Sequence, residues 1–269
     1  MQTMEEWIDS LTFRDDIMFQ QVMKNERICR KVLELILGFS IRRVIYPKTE
    51  EKVENAIGLH GIRLDVYVED EDGRMFDVEM QNSHEGDLAR RSRYYQGMMD
   101  SSSLERGAKD YRKLPDSYLI FITRYNPFGG DHVLYKMKTL CVDDPNVPFE
   151  DGAWKIYLCL YGKRDNTPIE ICRFIDYLKG NEPSDDLTKR IENEVIHWKN
   201  DGKWRKNMWE NHAREWDIRA EAEASFNAEQ KRLADLVKVL RGAGEIDLAL
   251  DAVSNTDLRN SLYKKYGIE

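Results

Sequence analysis

Residues 62–81, IRLDVYVEDEDGRMFDVEMQ, alternate apolar and polar side chains on both sides of an Asp72-Gly73 turn signal. A period of two over two adjoining runs predicts a β-hairpin and leaves few registers open. If Asp72-Gly73 formed a two-residue loop, Asp65 would oppose Met80 and both faces would mix apolar with polar groups. A three-residue loop over Glu71, Asp72 and Gly73, with Gly73 left-handed as a bulge, instead pairs Asp70 with Arg74 and Asp65 with Glu79. The faces then separate. Leu64, Val66, Val68, Phe76, Val78 and Met80 form an apolar face, and Arg63, Asp65, Tyr67, Asp77, Glu79 and Gln81 share the other.

That register sets two carboxylates opposite each other, roughly 5 Å apart at Cβ. Facing acids repel, so the pair calls for a metal, a cation or a basic side chain. Magnesium suits it, because Mg²⁺ takes oxygen ligands and is usually held by one or two carboxylates plus water and substrate phosphate. A carboxylate-bound Mg²⁺, with Mn²⁺ as a substitute, serves phosphodiester hydrolysis by neutralising charge and generating hydroxide. Asp65 and Glu79 are the candidate ligands, the backbone carbonyl of Met80 can add an oxygen, and Gln81 on the same face can orient the attacking water. Neutralisation of both acids by Arg63 in a purely structural cluster is the alternative.

Composition narrows the surroundings. The chain has 269 residues, 41% of them hydrophobic, which suffices for one large domain or a domain with an appendage. Its net charge of -8 argues against a coat of positive charge. Between Leu88 and Lys113, however, seven basic residues meet three acidic ones, a local net of +4 directly after the hairpin. Four widely spaced cysteines, no zinc-type histidine spacing, no basic-then-apolar start and no apolar run of ~20 residues lead to the expectation of a reduced, cytoplasmic protein without a membrane span.

Along the chain, residues 14–37 carry apolar positions at helical spacing and end at Gly38, a helix stop. Residues 41–46 read as a strand and 88–99 as a helix in which Arg90, Arg91 and Arg93 gather beside Tyr94 and Tyr95. The run YLIFIT, 118–123, reads as a strand buried on both faces, and 133–142 and 156–160 are further strands. This order gives an α/β fold, a mixed sheet flanked by helices. The basic cluster is either a solvated face or a set of phosphate contacts, and the tyrosines are either core or part of that contact. After Gly180-Asn181-Glu182-Pro183 the composition turns charged and aromatic, so the chain divides into a domain over 1–181 and a helical extension over 182–269. Trp198, Trp204, Trp209 and Trp216 lie within nineteen residues there, where amphipathic helix packing is the ordinary reading and base stacking the other. Phe226, Leu233, Val237 and Leu240 form an apolar stripe for an intramolecular contact or a short homodimer seam.

These residues carry a resemblance. An aspartate on one strand, a Glu-x-polar triplet on its hairpin partner, a helix before and a basic helix after resemble the PD-(D/E)XK nuclease superfamily. Asp16-x-x-Phe19, Glu79-Met80-Gln81 and Arg91-x-x-Tyr94-Tyr95 are similar to its transposase-like, recombination-promoting branch, over roughly residues 12–160. The resemblance implies a restriction-endonuclease-like core, metal held by Asp65 and Glu79, Gln81 in place of the usual lysine, and Asp16 as an auxiliary acid from the first helix. Asp16 also suits a plain helix start. The superfamily's proline is absent, since Leu64 precedes Asp65. The implied activity is a Mg²⁺-dependent DNA endonuclease with DNA contacts at Arg90, Arg91, Arg93 and Tyr94. A nuclease fold without turnover, acting as a DNA-binding or interaction module, and a hydrolase acting on RNA are the other readings.

Overall fold

The computed structural model describes residues 3–46, 64–83, 87–104 and 110–268, with the side chains of 214–224, 226, 246, 249 and 254 left aside. Among these residues six strands form one sheet in the order β1-β2-β3-β4-β6-β5. β1 (Val44–Ile45), β2 (Val66–Asp70) and β3 (Met75–Gln81) run antiparallel in succession, β3, β4 (Ser117–Thr123) and β6 (Ala153–Cys159) run parallel, and β5 (Leu134–Met137) closes the far edge antiparallel to β6. The sheet is therefore mixed, as the alternation of hairpin, helix and strand predicts.

The hairpin adopts the bulged register. Val66 faces Val78, Tyr67 faces Asp77 and Val68 faces Phe76, the register in which Asp65 stands against Glu79. Gly73 has φ 80°, and its N–H donates to the Asp70 carbonyl at 3.0 Å while the Asp70 N–H donates to Arg74. The buried Asp70 carboxylate locks the turn by accepting from the N–H groups of Asp72 and Arg74 and from the Arg74 guanidinium.

The two faces are both covered. Every residue of β3 is buried, Asp77, Glu79 and Gln81 included, so the polar face of the hairpin is no solvent face. The β3–β4 register explains why: Asp77 pairs with Leu119, Glu79 with Phe121 and Gln81 with Thr123, and paired residues project to the same side. That side carries the cluster of Leu88, Leu119, Phe121, Tyr157 and Cys159, with Tyr95 packed against it. Leu88 and Tyr95 belong to helix α4 (Leu88–Ser103), which connects β3 to β4 and lies over the acids. YLIFIT in β4 is buried throughout, as its unbroken apolar run predicts.

The amino-terminal helix differs from its expectation. A short α1 (Met4–Ser10) precedes it, and the span 14–37 breaks into α2 (Asp16–Met23) and α3 (Glu26–Leu37). Asn25 causes the break, because its side chain caps α3 by accepting from the N–H groups of Arg27 and Ile28. Gly38 ends α3 in the left-handed conformation, φ 83°, as its position predicts. The strand expected over 41–46 shrinks to the two residues of β1.

Every regular element after Gly180 is a helix among the described residues. α5 (Ile169–Leu178) and α6 (Asp186–Asn200) belong to a compact unit of Asp9–Asn200, in which α6 packs on α2, α3 and α5. α7 (Gly202–Gly242), α8 (Ile246–Ser254) and α9 (Thr256–Tyr266) form a second unit with Met1–Ile8. Its core joins Leu236, Leu240, Ala252, Leu262 and Tyr263. The stripe named from sequence thus shifts by a few residues: Leu240 is buried within the chain, Leu236 joins it, Leu233 and Val237 are half-buried, and the Phe226 side chain lies outside the described set. Trp204 is buried and Trp209 exposed, while Trp198 donates its indole N–H to Glu194 at 3.1 Å. No helix among the described residues is long and apolar enough to cross a membrane.

Candidate active site

The acids meet at the carboxyl end of β3, beside the parallel strand β4, a usual position for ligands in sheets of this kind. Asp65, just before β2, and Glu79 exchange bonds across the hairpin. The Asp65 N–H donates to Glu79 Oε1 at 3.0 Å, and the Met80 N–H donates to Asp65 Oδ2 at 3.1 Å. Gln20 of α2 donates to Asp65 Oδ1 at 3.0 Å. Asp16 opens α2 one turn earlier. Its Oδ1 accepts from Asn82 at 3.2 Å, and the same amide donates to the Arg14 carbonyl at 2.6 Å, which ties the start of α2 to the end of β3.

The electrostatics are those of acids crowded out of water. Burial and the charge of Asp65 push Glu79 up to about 8, and burial with Asp16 nearby raises Asp65 despite the bonds from Met80 and Gln20. Asp77, fully buried two residues before Glu79, is pushed well above the usual carboxylate range by burial and by Glu79, and neither of its carboxylate oxygens has a hydrogen-bond partner. Burial and Glu79 also lift the Tyr95 phenol to about 12.

One cation enters from α4. Arg91 Nη2 lies 3.7 Å from Glu79 Oε2 and donates a hydrogen bond to Gln81 Oε1, while Gln81 Nε2 donates to the Ser83 carbonyl at 2.8 Å. The guanidinium rests over the rings of Tyr95 and Phe121, 5.3 and 5.4 Å from their centroids. The basic cluster is thereby divided. The Arg90 side chain is 78% exposed and paired with Asp87, and Arg93 and Tyr94 share that outer face, whereas Arg91 is 24% exposed and turned toward the acids. Arg63, the sequence's candidate counter-ion, lies outside the described residues.

The structure brings together Asp65, Glu79, Gln81 and the Met80 backbone, with Asp16 at their margin. Sequence reasoning passed over Gln20, Asn82 and the inward turn of Arg91. Gln20 sits four residues after Asp16 on the same helical face, and that spacing is a signal. The direction of Arg91 depends on how α4 is rolled over the sheet, for which the sequence offers only the apolar positions of that helix.

Among the described residues no three His, Cys, Asp or Glu side chains form a metal-binding group by themselves. The donor chemistry nonetheless fits a hard cation: two carboxylates share one buried locus, all donors are oxygens, and their mutual repulsion is what a divalent ion relieves. Water and phosphate normally complete such a shell.

No curated protein and no solved structure matches the chain significantly. The family described as PD-(D/E)XK nuclease family transposase matches residues 9–212, a span that contains the sheet, α4 and every candidate residue above, and the chain belongs to that family.

Proposed function

We propose that the protein is a Mg²⁺-dependent DNA endonuclease, with Mn²⁺ able to substitute. The observation that supports this most is the reciprocal pairing of Asp65 and Glu79 at the carboxyl end of β3, in a chain of a nuclease family. Asp65, Glu79 and the Met80 carbonyl are the proposed metal ligands, and Asp16 is an auxiliary acid at the edge of the site. When bound, the metal neutralises phosphate charge and lowers the pKa of a water nucleophile. The protein's own residues orient the site: Gln20 and the Met80 N–H fix the Asp65 carboxylate, and the Asp65 N–H fixes Glu79.

Arg90, Arg93 and Tyr94, exposed on α4, are the proposed contacts to the DNA backbone, with Arg91 at the inner edge of that surface. The -8 net charge implies that few phosphates are neutralised and that affinity falls with salt. A homodimer through the carboxyl-terminal helices is a further part of the proposal.

The test is plasmid cleavage in a series of Mg²⁺, Mn²⁺, Ca²⁺ and chelator. Wild-type protein should nick DNA in Mg²⁺ or Mn²⁺, and Glu79→Ala or Asp65→Ala should lower the rate by about 100-fold or more. Equal cutting by wild type and both variants would identify a contaminant and remove the assignment. DNA retention without cleavage, indifferent to metal and to Glu79→Ala, would favour a binding module instead.

A further inference from the structure

Gln81 is tethered at both ends of its amide. Its carbonyl oxygen accepts from Arg91 and its amide nitrogen donates to the Ser83 carbonyl, which fixes the amide against the protein and leaves one lone pair and one N–H of its four hydrogen-bonding positions unused by these two bonds. A neutral amide also brings no positive charge to a site that must receive an anionic phosphate. The positive charge arrives from the helix that covers the sheet. Arg91 is held at its Nη2 by Gln81, with Glu79 3.7 Å from the same nitrogen, and the rings of Tyr95 and Phe121 lie beside its guanidinium. A guanidinium tethered this way loses little further freedom when it meets an oxyanion.

We infer that Arg91 is the electrostatic catalytic residue of this site, directed at a non-bridging oxygen of the scissile phosphate, and that Gln81 is the positioning residue that aims it. The inference rests on the nuclease reading above and refines it. Arginine stays protonated at any working pH, so Arg91 stabilises developing negative charge and takes no proton from water. The duty belongs to the inner arginine alone. Arg90 is paired with Asp87 on the outer face, and Arg93 is exposed there too.

The experiment is steady-state cleavage of a DNA duplex in Mg²⁺ by wild type, Glu79→Ala, Arg91→Met, Arg91→Lys, Gln81→Ala and the double variant Arg91→Met/Gln81→Lys, with a thermal melt of each. Expected is a kcat lowered about 100-fold or more in Arg91→Met with KM within a few-fold of wild type. Arg91→Lys should retain part of that loss, and Gln81→Ala about a tenth of wild-type kcat. Arg90→Ala and Arg93→Ala should raise KM and leave kcat alone. The double variant decides between electrostatics and structure, because residue 81 projects from β3 toward the same place, and a lysine there restores the charge without the guanidinium's packing. Recovery of at least 10-fold over Arg91→Met supports the inference, even where the single variant melts early. Wild-type kcat in Arg91→Met, or no recovery in the double variant, overturns it while Glu79→Ala still reports a metal-dependent nuclease. Full activity in Glu79→Ala would instead overturn the underlying nuclease reading.

Discussion

Asp77 shows how far a buried side chain can be set against stability. Its carboxyl is fully buried, without a hydrogen-bond partner, on the same face as Glu79 and two residues before it. Leaving such a group unsatisfied costs about 1–3 kcal/mol, whereas an apolar group of similar volume in its place removes that penalty. Asp77→Leu should therefore raise the thermal midpoint, by about 1 kcal/mol of stability, measured by calorimetry in chelator; a lowered midpoint would mean that Asp77 has a partner in solution. From sequence Asp77 reads as one more member of the polar face, nearer the turn than Glu79. Its isolation arises because α4 and β4 close over that face, with Leu119 as its strand neighbour. Arg91 illustrates the same point with the opposite sign: among three clustered arginines, only the roll of the helix decides which one meets the acids.

At the level of single elements the local code is strong. Gly73 at φ 80°, Gly38 at φ 83° and the Asn25 cap each sit where sequence chemistry wants them, and the first two were legible in the chain. The helix break at Asn25 was legible in principle and hidden by the apolar rhythm that continues across it. Glu34, in the last turns of α3, adds a pH dependence. Burial pushes its carboxyl up, but the Lys31 ammonium at 2.7 Å and the Ile41 N–H at 3.0 Å outweigh this and hold it below its ordinary 4.5. A depressed folded-state value stabilises the fold above the unfolded value, and that contribution disappears as pH falls through the folded one. Wild type should lose stability relative to Glu34→Gln on acidification from about 5 to 3, by less than about 1 kcal/mol for a group near the surface. Urea midpoints of the two proteins across that range would show it, and parallel curves would refute it.

At the scale of the molecule, each of the two compact units carries its own core. In the helical unit of Met1–Ile8 with Asp201–Glu269, Leu236 and Leu240 pack against Ala252, Leu262 and Tyr263. Leu236→Ala should cost about 2–5 kcal/mol there. Hydrogen exchange should register lost protection in α7, α8 and α9, with the amides of β3 and β4 unchanged, because these cores are separate. Equal loss in the sheet would mean that the chain unfolds as one cooperative body.

By itself the sequence determined the hairpin register, the buried strand at 118–123 and the coming together of Asp65 and Glu79. Side-chain alternation and turn chemistry act over a few residues, and a one-residue slip would have mixed both faces. Burial of the polar face, the isolation of Asp77 and the choice of Arg91 over its neighbours were decided only by tertiary structure. They depend on a parallel pairing between strands 36 residues or more apart and on how one helix is rolled onto them. Nothing in the local pattern of residues 62–81 encodes what will lie above it.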